Sequence, residues 1–546
     1  MLCYNDRIEN IEAVMKNYVR NYFVNLLIPS FVFGSATGIV TAVIICFYKL
    51  CATYVIGLSE LGYRTLRGAP LWLLCVLPAL CLVAWCFSRI YARHPNLSGG
   101  GIPTAVGALR GILHMQGWKN LLGVFTLSLP SFLIGVPLGN EGPSVQMGTA
   151  IGKGCVRSIT KKHRAWERYS MTGGACAGFS VATGAPISGI LFSVEEAHQR
   201  ISPMLLTVSA TSVMFAELTA ELLSRFLPIH TTLFPKMNPL TLSLGDVWLP
   251  LIVGIVVGLF AVLFLRYYRI IRKLVKRLVK KISKVGVVFF VFALTVLLGL
   301  CSDAFVSTGH ELMLSLFEEN EAVLFLLLVL AIRATVMLFA NTAGVTGGLF
   351  VPILALGALV SAILGRVMVT VFGLGQEYLT VILILGIVAC VSAMMKMPLT
   401  AIVFAVEALS CYMNILYVIV VAVVSYVITE FFGAKSINDS VIEHRAENLH
   451  GDVQAKMAEA FVTVRRNSFA EGKQIRDILW PSNTFVLSIK YASCDHVEVD
   501  GHGGKAIRAD DVLHVRYSTY DSTQTLQEIL AIVGEQEVTE IAVDKA

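Results

Sequence analysis

Apolar stretches recur along the chain from about residue 21 to residue 433, and they constrain the fold more than any other feature. They include residues 70–89, 121–138, 203–216, 247–265, 285–300, 322–340, 348–372 and 398–432. Several are long enough to cross a bilayer as helices, and others are broken by Gly or Pro. The runs are continuous and lack the alternation of a membrane strand, so we do not expect a barrel. Only 15% of the residues are charged, against roughly a quarter in soluble domains, so the sequence predicts an all-α polytopic membrane protein.

Two basic clusters predict the orientation of the chain. One comprises Lys161, Lys162, Arg164 and Arg168, and the other extends over residues 266–284 with nine Lys or Arg and no acid. We expect both to face the cytoplasm, as in a multi-pass protein of the plasma or inner membrane. The net charge of +6 is too modest to indicate binding to nucleic acid. The twelve cysteines have no metal-ligand or redox spacing, so we expect no metal and no cofactor.

The composition changes after residue 433. We expect residues 1–433 to form the membrane domain, residues 434–455 a polar linker, and residues 456–546 a small α+β domain. Predicted strands lie near residues 462–465, 484–489, 512–516 and 539–543, and a predicted helix covers residues 523–533. This order resembles the C-terminal domain of potassium-uptake and potassium-channel regulators, the TrkA-C or RCK-C type. The resemblance implies a cytoplasmic regulatory domain, with a small cytosolic ligand as a candidate partner.

Two pieces of the membrane region recur at nearly the same offset. The segment from Pro186 to Glu195 matches the segment from Pro398 to Glu407, with Pro, Phe, Val and Glu at the same places. Farther upstream, Gly135, Pro143 and Gly148 match Gly344, Pro352 and Gly357. The offsets of 212 and 209 residues agree closely, so we interpret the membrane domain as two related halves. Transporters of this kind bind substrate between the repeats, near the midplane of the bilayer.

Three glycine-rich segments predict helix starts inside the membrane. They are Gly99-Gly100-Gly101-Ile102-Pro103, Gly139-Asn140-Glu141-Gly142-Pro143 and Gly348-Leu349-Phe350-Val351-Pro352. Gly ahead of Pro marks a helix start, and a helix N-terminus presents unpaired N–H groups with a partial positive charge. The alternative is three kinked spans without a ligand. Because two of the segments occupy equivalent places in the repeat, we interpret all three as an anion-binding site.

These segments resemble the GSGIP, GREGP and GxFxP motifs of the CLC family of chloride channels and proton-coupled antiporters, and they follow the same order. The resemblance covers nearly all of residues 20–445. It implies two inverted repeats with broken helices, a homodimer with one pathway per subunit, and a small inorganic anion and protons as partners. The position of Glu141 matches the external gating glutamate of the family, and Glu196 aligns with the internal proton acceptor of the antiporters.

The physical reading of Glu141 agrees with that role. A carboxylate among anion-binding N–H groups is itself an anion, so deprotonated Glu141 would occupy the site and protonated Glu141 would leave it. Glu195 and Glu407 recur in both halves, and we expect them to be structural acids at helix ends. Arg333 and Lys396 are then their simplest partners, or anchors at the membrane surface.

Three positions depart from the family pattern and bear on the identity of the anion. Gly100 stands where the resemblance implies an anion-coordinating serine, and Asn438 stands where it implies an inner tyrosine. Asn140 replaces the usual arginine before the gating glutamate. This combination resembles the fluoride/proton antiporter branch, whereas Phe350 and Pro352 follow the chloride-type pattern. The sequence therefore favours fluoride over chloride as the substrate.

Three other functions compete with proton-coupled antiport. A passive CLC-type chloride channel shares the fold, but it would need no internal proton acceptor at Glu196. A potassium transport subunit, suggested by residues 456–546, would need a TVGYG-like filter, and the sequence has none. An enzyme would need a nucleophile–base set or a metal cluster, and the isolated histidines form no such pattern.

Overall fold

Seventeen α-helices and five β-strands make up most of the described chain in this computed structural model. The structure describes residues 27–99, 101–113, 115–159, 164–229, 231–318, 321–450, 456–481, 483–492, 497–499, 506–519, 522–536, 538 and 541–542. Eight helical segments within these residues are long and apolar enough to cross a membrane. The predicted all-α polytopic membrane domain is confirmed.

The helical domain divides into two halves of similar element order. The first half contains α1 (Ile28–Gly68), α2 (Leu73–Arg93), α3 (Ile102–Leu109), α4 (Gly117–Leu133), α5 (Glu141–Ile159), α6 (Trp166–Thr183), α7 (Pro186–Phe192) and α8 (Pro203–Ser224). The second half contains α9 (Trp248–Cys301), α10 (His310–Glu318), α11 (Val323–Ala343), α12 (Phe350–Phe372), α13 (Tyr378–Met395), α14 (Pro398–Glu407), α15 (Ile415–Phe431) and α16 (Ile437–His450). The long helix α9 is interrupted at Ser283, whose φ of 69° is not helical, so two helices meet there.

Proline and glycine explain why several helices begin or end at sharp points. Pro103, Pro186 and Pro398 each lie at the first or second position of a helix, where the missing N–H costs nothing and φ is already helical. Gly184 and Gly344 follow α6 and α11 in the left-handed conformation, with φ of 70° and 92°. Glycine adopts that conformation without a Cβ clash, so the chain can turn and start a new helix at once.

The two halves meet about an approximate two-fold axis. The helices from α4 to α8 correspond in order to the helices from α11 to α15. At the centre, the N–H of Gly139 donates to the carbonyl of Gly348 at 2.8 Å, and the N–H of Gly348 donates to the carbonyl of Gly139 at 2.7 Å. These residues are 209 positions apart (348 − 139), which is the offset of the repeat. Reciprocal contact between equivalent residues is what a two-fold relation produces, and the predicted inverted repeats with broken helices are confirmed.

Glu195 and Glu407 form a second reciprocal contact. Glu195 accepts hydrogen bonds from the N–H and the hydroxyl of Thr400, both at 2.7 Å, at the N-terminus of α14. Glu407 accepts the equivalent bonds from the N–H and hydroxyl of Ser188, at 2.9 and 2.8 Å, at the N-terminus of α7. Glu195 also accepts the N–H of Leu399, and Glu407 also accepts the N–H of Ile187. The end of each short helix therefore caps the start of its counterpart, where a negative charge is favourable.

Arg333 and Lys396 are not the partners of these acids, so the first of the two alternatives is wrong, and a role as anchors at the membrane surface stays a prediction. The Arg333 guanidinium donates to backbone carbonyls in the loop before α10, including those of Ala304 and Val306 at 2.9 and 2.7 Å. Lys396 donates to Glu430 at 2.8 Å and to a neighbouring threonine hydroxyl. The backbone N–H groups of α7 and α14 satisfy the two acids instead, and the repeat alone could not reveal that.

The C-terminal domain is a five-stranded antiparallel sheet with one helix. Its strands β1 (Lys456–Thr463), β2 (Thr484–Lys490), β3 (Val497–Val499), β4 (Val512–Thr519) and β5 (Ile541–Ala542) lie in the order β3-β2-β4-β1-β5. The helix α17 (Ser522–Val533) packs against β1 and lies close to the predicted position. The predicted α+β domain is confirmed. The segment predicted as a linker, 434–455, contains α16, and residues 451–455 of it lie outside the described residues.

Candidate functional site

Three helix N-termini, those of α3, α5 and α12, converge at the centre of the helical domain. A Cβ atom added to Gly142 would lie 2.5 Å from the Cα of Gly348 and 3.0 Å from the Cα of Gly101. Each of the three predicted glycine-rich segments thus supplies one of these touching glycines. Because no side chain fits between these backbones, the three helix starts are in direct backbone contact.

The N–H groups around this point divide into two sets. Some hold the loops together: the N–H of Gly99 donates to Gly344 at 2.6 Å, and the N–H of Gly101 donates to the side chain of Gln146 at 2.9 Å. These two glycines therefore shape the first loop rather than offer free donors, and Gly100 lies outside the described residues. The first-turn N–H groups without an intrahelical acceptor belong to Ile102, Gly142, Leu349, Phe350 and Val351. Pro103 and Pro143 lie in the same turns, but proline has no backbone N–H to donate.

Glu141 is the first residue of α5 and is buried, with 2% of its surface exposed. Its carboxylate folds back over the helix start and accepts its own backbone N–H. The Oε2 atom lies only 2.4 Å from the place that a Cβ on Gly139 would take, and it has no hydrogen-bond partner among the described residues. Lys49 of α1 is close enough to interact with it electrostatically and donates to the carbonyl of Val181 at 3.0 Å. The carboxylate therefore lies buried beside the converging helix starts, next to Gly139.

Asn140 and Phe350 flank this position. Asn140 is partly exposed, and its carbonyl accepts the N–H and hydroxyl of Ser144, which closes the first turn of α5. The buried ring of Phe350 makes T-shaped contacts with the rings of Phe179 and Phe404. The ring centroids are 5.0 and 5.5 Å apart, respectively. These contacts join α6, α12 and α14 into an apolar wall beside the helix starts.

Glu196 lies on a π-helical turn, Ser193–His198, that follows α7. It is 3% exposed, and its Oε1 atom has no hydrogen-bond partner among the described residues. The side chain of Asn438, near the start of α16, lies beside it. The guanidinium of Arg110 donates to the carbonyl of Glu196 at 2.6 Å and pairs with Asp439 at 2.7 Å. Asp439 is about a third exposed, at 31% of its side chain, so this cluster links the buried Glu196 to the protein surface.

Arg445 is a residue of the site that the sequence did not reveal. Its guanidinium, carried by α16, packs against Gly99 and donates to the hydroxyl of Thr104. The terminal Nη2 atom is buried without a hydrogen-bond partner within the part of the chain that the structure describes. A full positive charge therefore stands beside the first loop, although no Lys or Arg occurs in the loop itself. No local sequence feature indicates this contact, because α16 lies in the segment predicted to be a polar linker.

Comparisons with known proteins agree with this geometry. Residues 75–430 match the family model described as "voltage gated chloride channel". The H(+)/Cl(-) exchange transporter ClcA of Salmonella paratyphi A (strain ATCC 9150 / SARB42) is 28% identical over 386 residues, which cover 70% of this chain and 80% of that protein. The transporter of the same name from Klebsiella pneumoniae (strain 342) is 27% identical over 384 residues, with the same coverage.

Solved structures with the same fold include several ion transporters. A slow cyanobacterial Cl-/H+ antiporter superposes with a TM-score of 0.68 at 25% identity, covering 76% of this chain and 98% of that chain. A CLC-type fluoride/proton antiporter superposes with a TM-score of 0.61 at 17% identity, covering 74% and 96% of the two chains. At 17% identity, the likeness to the fluoride/proton antiporter shows the fold alone.

Proposed function

The chain belongs to the voltage-gated chloride channel family, and on that premise we propose that it is a proton-coupled antiporter of a small halide anion. The observation that carries the proposal is the position of the Glu141 carboxylate. It lies buried at the start of α5, where the N-termini of α3 and α12 also converge. A carboxylate competes with the anion when it is deprotonated and can leave the site when it is protonated. It can therefore couple movement of the anion to movement of the proton.

The anion-binding position is suited to fast exchange. Its donors are backbone N–H groups at helix starts, each with a partial charge, and a partial charge holds an anion more weakly than a lysine or arginine in direct contact. Binding must be strong enough to admit the ion and weak enough to release it. In our proposal Ile102, Gly142, Leu349, Phe350 and Val351 supply the N–H groups, and Arg445 adds attraction from the side of the first loop.

The proton would pass between Glu141 and Glu196. Both carboxyl groups are buried, and each has an oxygen without a hydrogen-bond partner among the described residues. A buried acid is expensive to keep charged, so neutralisation by a proton is favourable. This arrangement supports antiport over the alternative, a passive CLC-type chloride channel, because a pore for anions alone has no use for a second buried acid.

We propose fluoride as the preferred ion, with chloride as the alternative. The inner side chain beside Glu196 is the amide of Asn438 rather than a hydroxyl, and Asn140 precedes the gating acid. An amide can donate N–H bonds, which suit a small and strongly hydrated anion. The chloride alternative has its own support, since the curated relatives described above are named as chloride exchangers.

Two further parts of the proposal concern the assembly. We propose that the C-terminal domain faces the cytoplasm together with the basic run of residues 266–284, and that it regulates transport through a small cytosolic ligand. The membrane domain would form a homodimer with one pathway in each subunit. The apolar outer faces of α8 and α15, with Leu218, Leu222, Val423 and Val427 exposed, are available for that contact.

The proposal is tested with purified protein in liposomes. An outward gradient of fluoride, and in a second experiment of chloride, is imposed while the pH inside is followed. An antiporter lets the anion gradient drive protons uphill, and the ion that drives them faster is the substrate. Anion flux without proton movement would instead support a channel, and comparable rates with both ions would refute the fluoride preference.

A further inference from the structure

The C-terminal domain contacts the helical domain through a loop, residues 475–481, which we call the docking loop, and also through Phe469 and Glu528. The hydroxyl of Tyr169 on α6 donates to the carbonyl of Asp477 and accepts the N–H of Leu479, both at 2.9 Å. Arg200 donates to the carbonyl of Ile478 at 2.8 Å. The side chain of Leu479 is buried among apolar residues of the helical domain that include Val208. The two domains are therefore joined by specific contacts near the ends of α6 and α8.

A cavity of about 380 Å³ lies beside the docking loop, between the two domains. Residues from the C-terminal half of α5 line the cavity, and so do residues along α17 from Thr523 to Ile532. Its floor is apolar, with Met171 and Leu113 among the lining residues, and Gln524 and Gln527 contribute amides from α17. This volume is within the range of sites that hold small metabolites.

The charges that line the cavity do not balance. The four cations are Lys153, Arg157, Arg164 and Arg168, and the two acids are Glu167 and Glu528. Arg157 pairs with Glu167 at 2.9 Å, and Arg168 pairs with Glu528. Lys153 and Arg164 are left over, which gives the lining a net charge of +2 (four cations minus two acids).

Lys153 gives the second, independent observation. It is 8% exposed, and it makes no ion pair or hydrogen bond within the part of the chain that the structure describes. A mostly buried lysine that lines a cavity without an ion-pair partner favours a ligand that supplies the missing negative charge. Both acids of the lining are already paired with arginines, so no acid among the described lining residues is left for Lys153, and its charge is available to an anionic ligand.

We propose that this cavity binds a small phosphorylated metabolite, whose phosphate lies against Lys153 and Arg164. A compact ammonium is a common phosphate ligand, and the guanidinium adds directed N–H donors. The glutamine amides of α17 would then bond the polar edge of the remaining part of the molecule, which rests on the apolar floor. The ligand would touch both domains at once, because α5 supplies the lysine and α17 supplies the amides.

The position of Lys153 gives the ligand a way to affect transport. Lys153 and Glu141 lie on the same helix, twelve residues apart (153 − 141), or about 18 Å at about 1.5 Å per residue. A ligand that fixes α5 to the C-terminal domain would restrict movement of the helix that carries the gating carboxylate. This regulatory part rests on the proposed antiport, whereas the binding itself does not.

Binding is measured first, on the full-length protein in detergent. Calorimetric titration with AMP and with pyrophosphate is compared with adenosine, which lacks the phosphate. We expect saturable binding of at least one phosphate-bearing probe and none of adenosine. Lys153→Gln should weaken that binding by about ten-fold or more, Lys153→Arg should largely restore it, and Lys456→Gln, an exposed lysine on β1, should leave it unchanged.

The stability of the empty protein separates a ligand site from a structural role. If Lys153 lacks a partner, Lys153→Gln will not lower the unfolding temperature without ligand, whereas loss of a structural ion pair would lower it. No binding of either AMP or pyrophosphate, or equal binding to the Gln variant, would overturn the proposal. Transport is assayed separately, so a failure of the antiport proposal leaves the binding result standing.

Discussion

At the scale of single residues, the site depends on positions where no side chain can stand. Gly142 lies between the backbones of Gly101 and Gly348, and a Cβ there would come within 2.5 Å of the Gly348 Cα. The neighbouring atoms are backbone, so they cannot rotate away. Close approach of the three helix starts, and with it the concentration of partial positive charge, therefore requires glycine at this position.

We predict that Gly142→Ala sharply reduces anion transport. Overpacking of this kind costs about 1–3 kcal/mol, which separates the helix starts and slows flux by about ten-fold or more. Anion efflux from liposomes measures the effect. Gly57→Ala is the matched control, because nothing lies within 4 Å of a Cβ at Gly57 in α1, and it should transport normally. Unchanged flux in Gly142→Ala would show that the anion passes elsewhere.

We predict that Glu196→Gln separates the two transported species. The amide is nearly the same size as the carboxyl but cannot carry a proton, so proton movement should fall to background while anion flux continues. Simultaneous recording of proton and anion movement in one liposome preparation measures both, and the anion trace serves as the internal control. Proton coupling that survives in the variant would assign the internal acceptor to another group, with Asp439 as the next candidate.

At the scale of elements, the reciprocal caps hold the two repeats together. Glu195 caps α14 and Glu407 caps α7, each through a side chain from the opposite half. A carboxylate at a helix N-terminus satisfies free N–H groups and interacts favourably with the helix dipole. Two short helices that could not be stable alone therefore stabilise each other.

We predict that Glu195→Gln and Glu407→Gln each lower the stability of the membrane domain by about 1 kcal/mol. Their effects should be similar because the two sites are equivalent in the repeat. Thermal unfolding in detergent measures the change. Glu443→Gln removes an exposed ion pair to Lys435, which contributes little, and is the control. A large effect in one variant and none in the other would contradict the two-fold relation of the caps.

The sequence predicted elements best where local signals and the repeat agreed. The helix starts at Pro103, Pro143 and Pro352 and the pairing of the halves followed from glycine, proline and a constant offset. The helix α16 was missed because its composition is polar, and its burial comes only from packing against the membrane domain. Arg445 was missed for the same reason, since a residue 341 positions from Thr104 gives no local sign of their contact.

At the scale of the whole molecule, the C-terminal domain contacts a helix that also packs beside the candidate site. The docking loop binds to α6 and to the loop before α8, and α6 carries Phe179, whose ring contacts Phe350 beside the converging helix starts. The Glu141 carboxylate lies at one end of α5, and the cavity between the domains lies at the other end. The architecture therefore places the C-terminal domain against α6, which packs beside the candidate site, and across a cavity from the far end of α5.

The measurement that tests the central claim most directly is proton movement driven by an anion gradient in Glu141→Gln beside the parent protein. The parent should drive protons uphill, whereas the variant should move anions without protons, because a neutral amide can neither carry the proton nor compete as an anion. Uphill proton movement in the variant, or its absence in a parent that transports anions, would contradict the account of Glu141 as the coupling group.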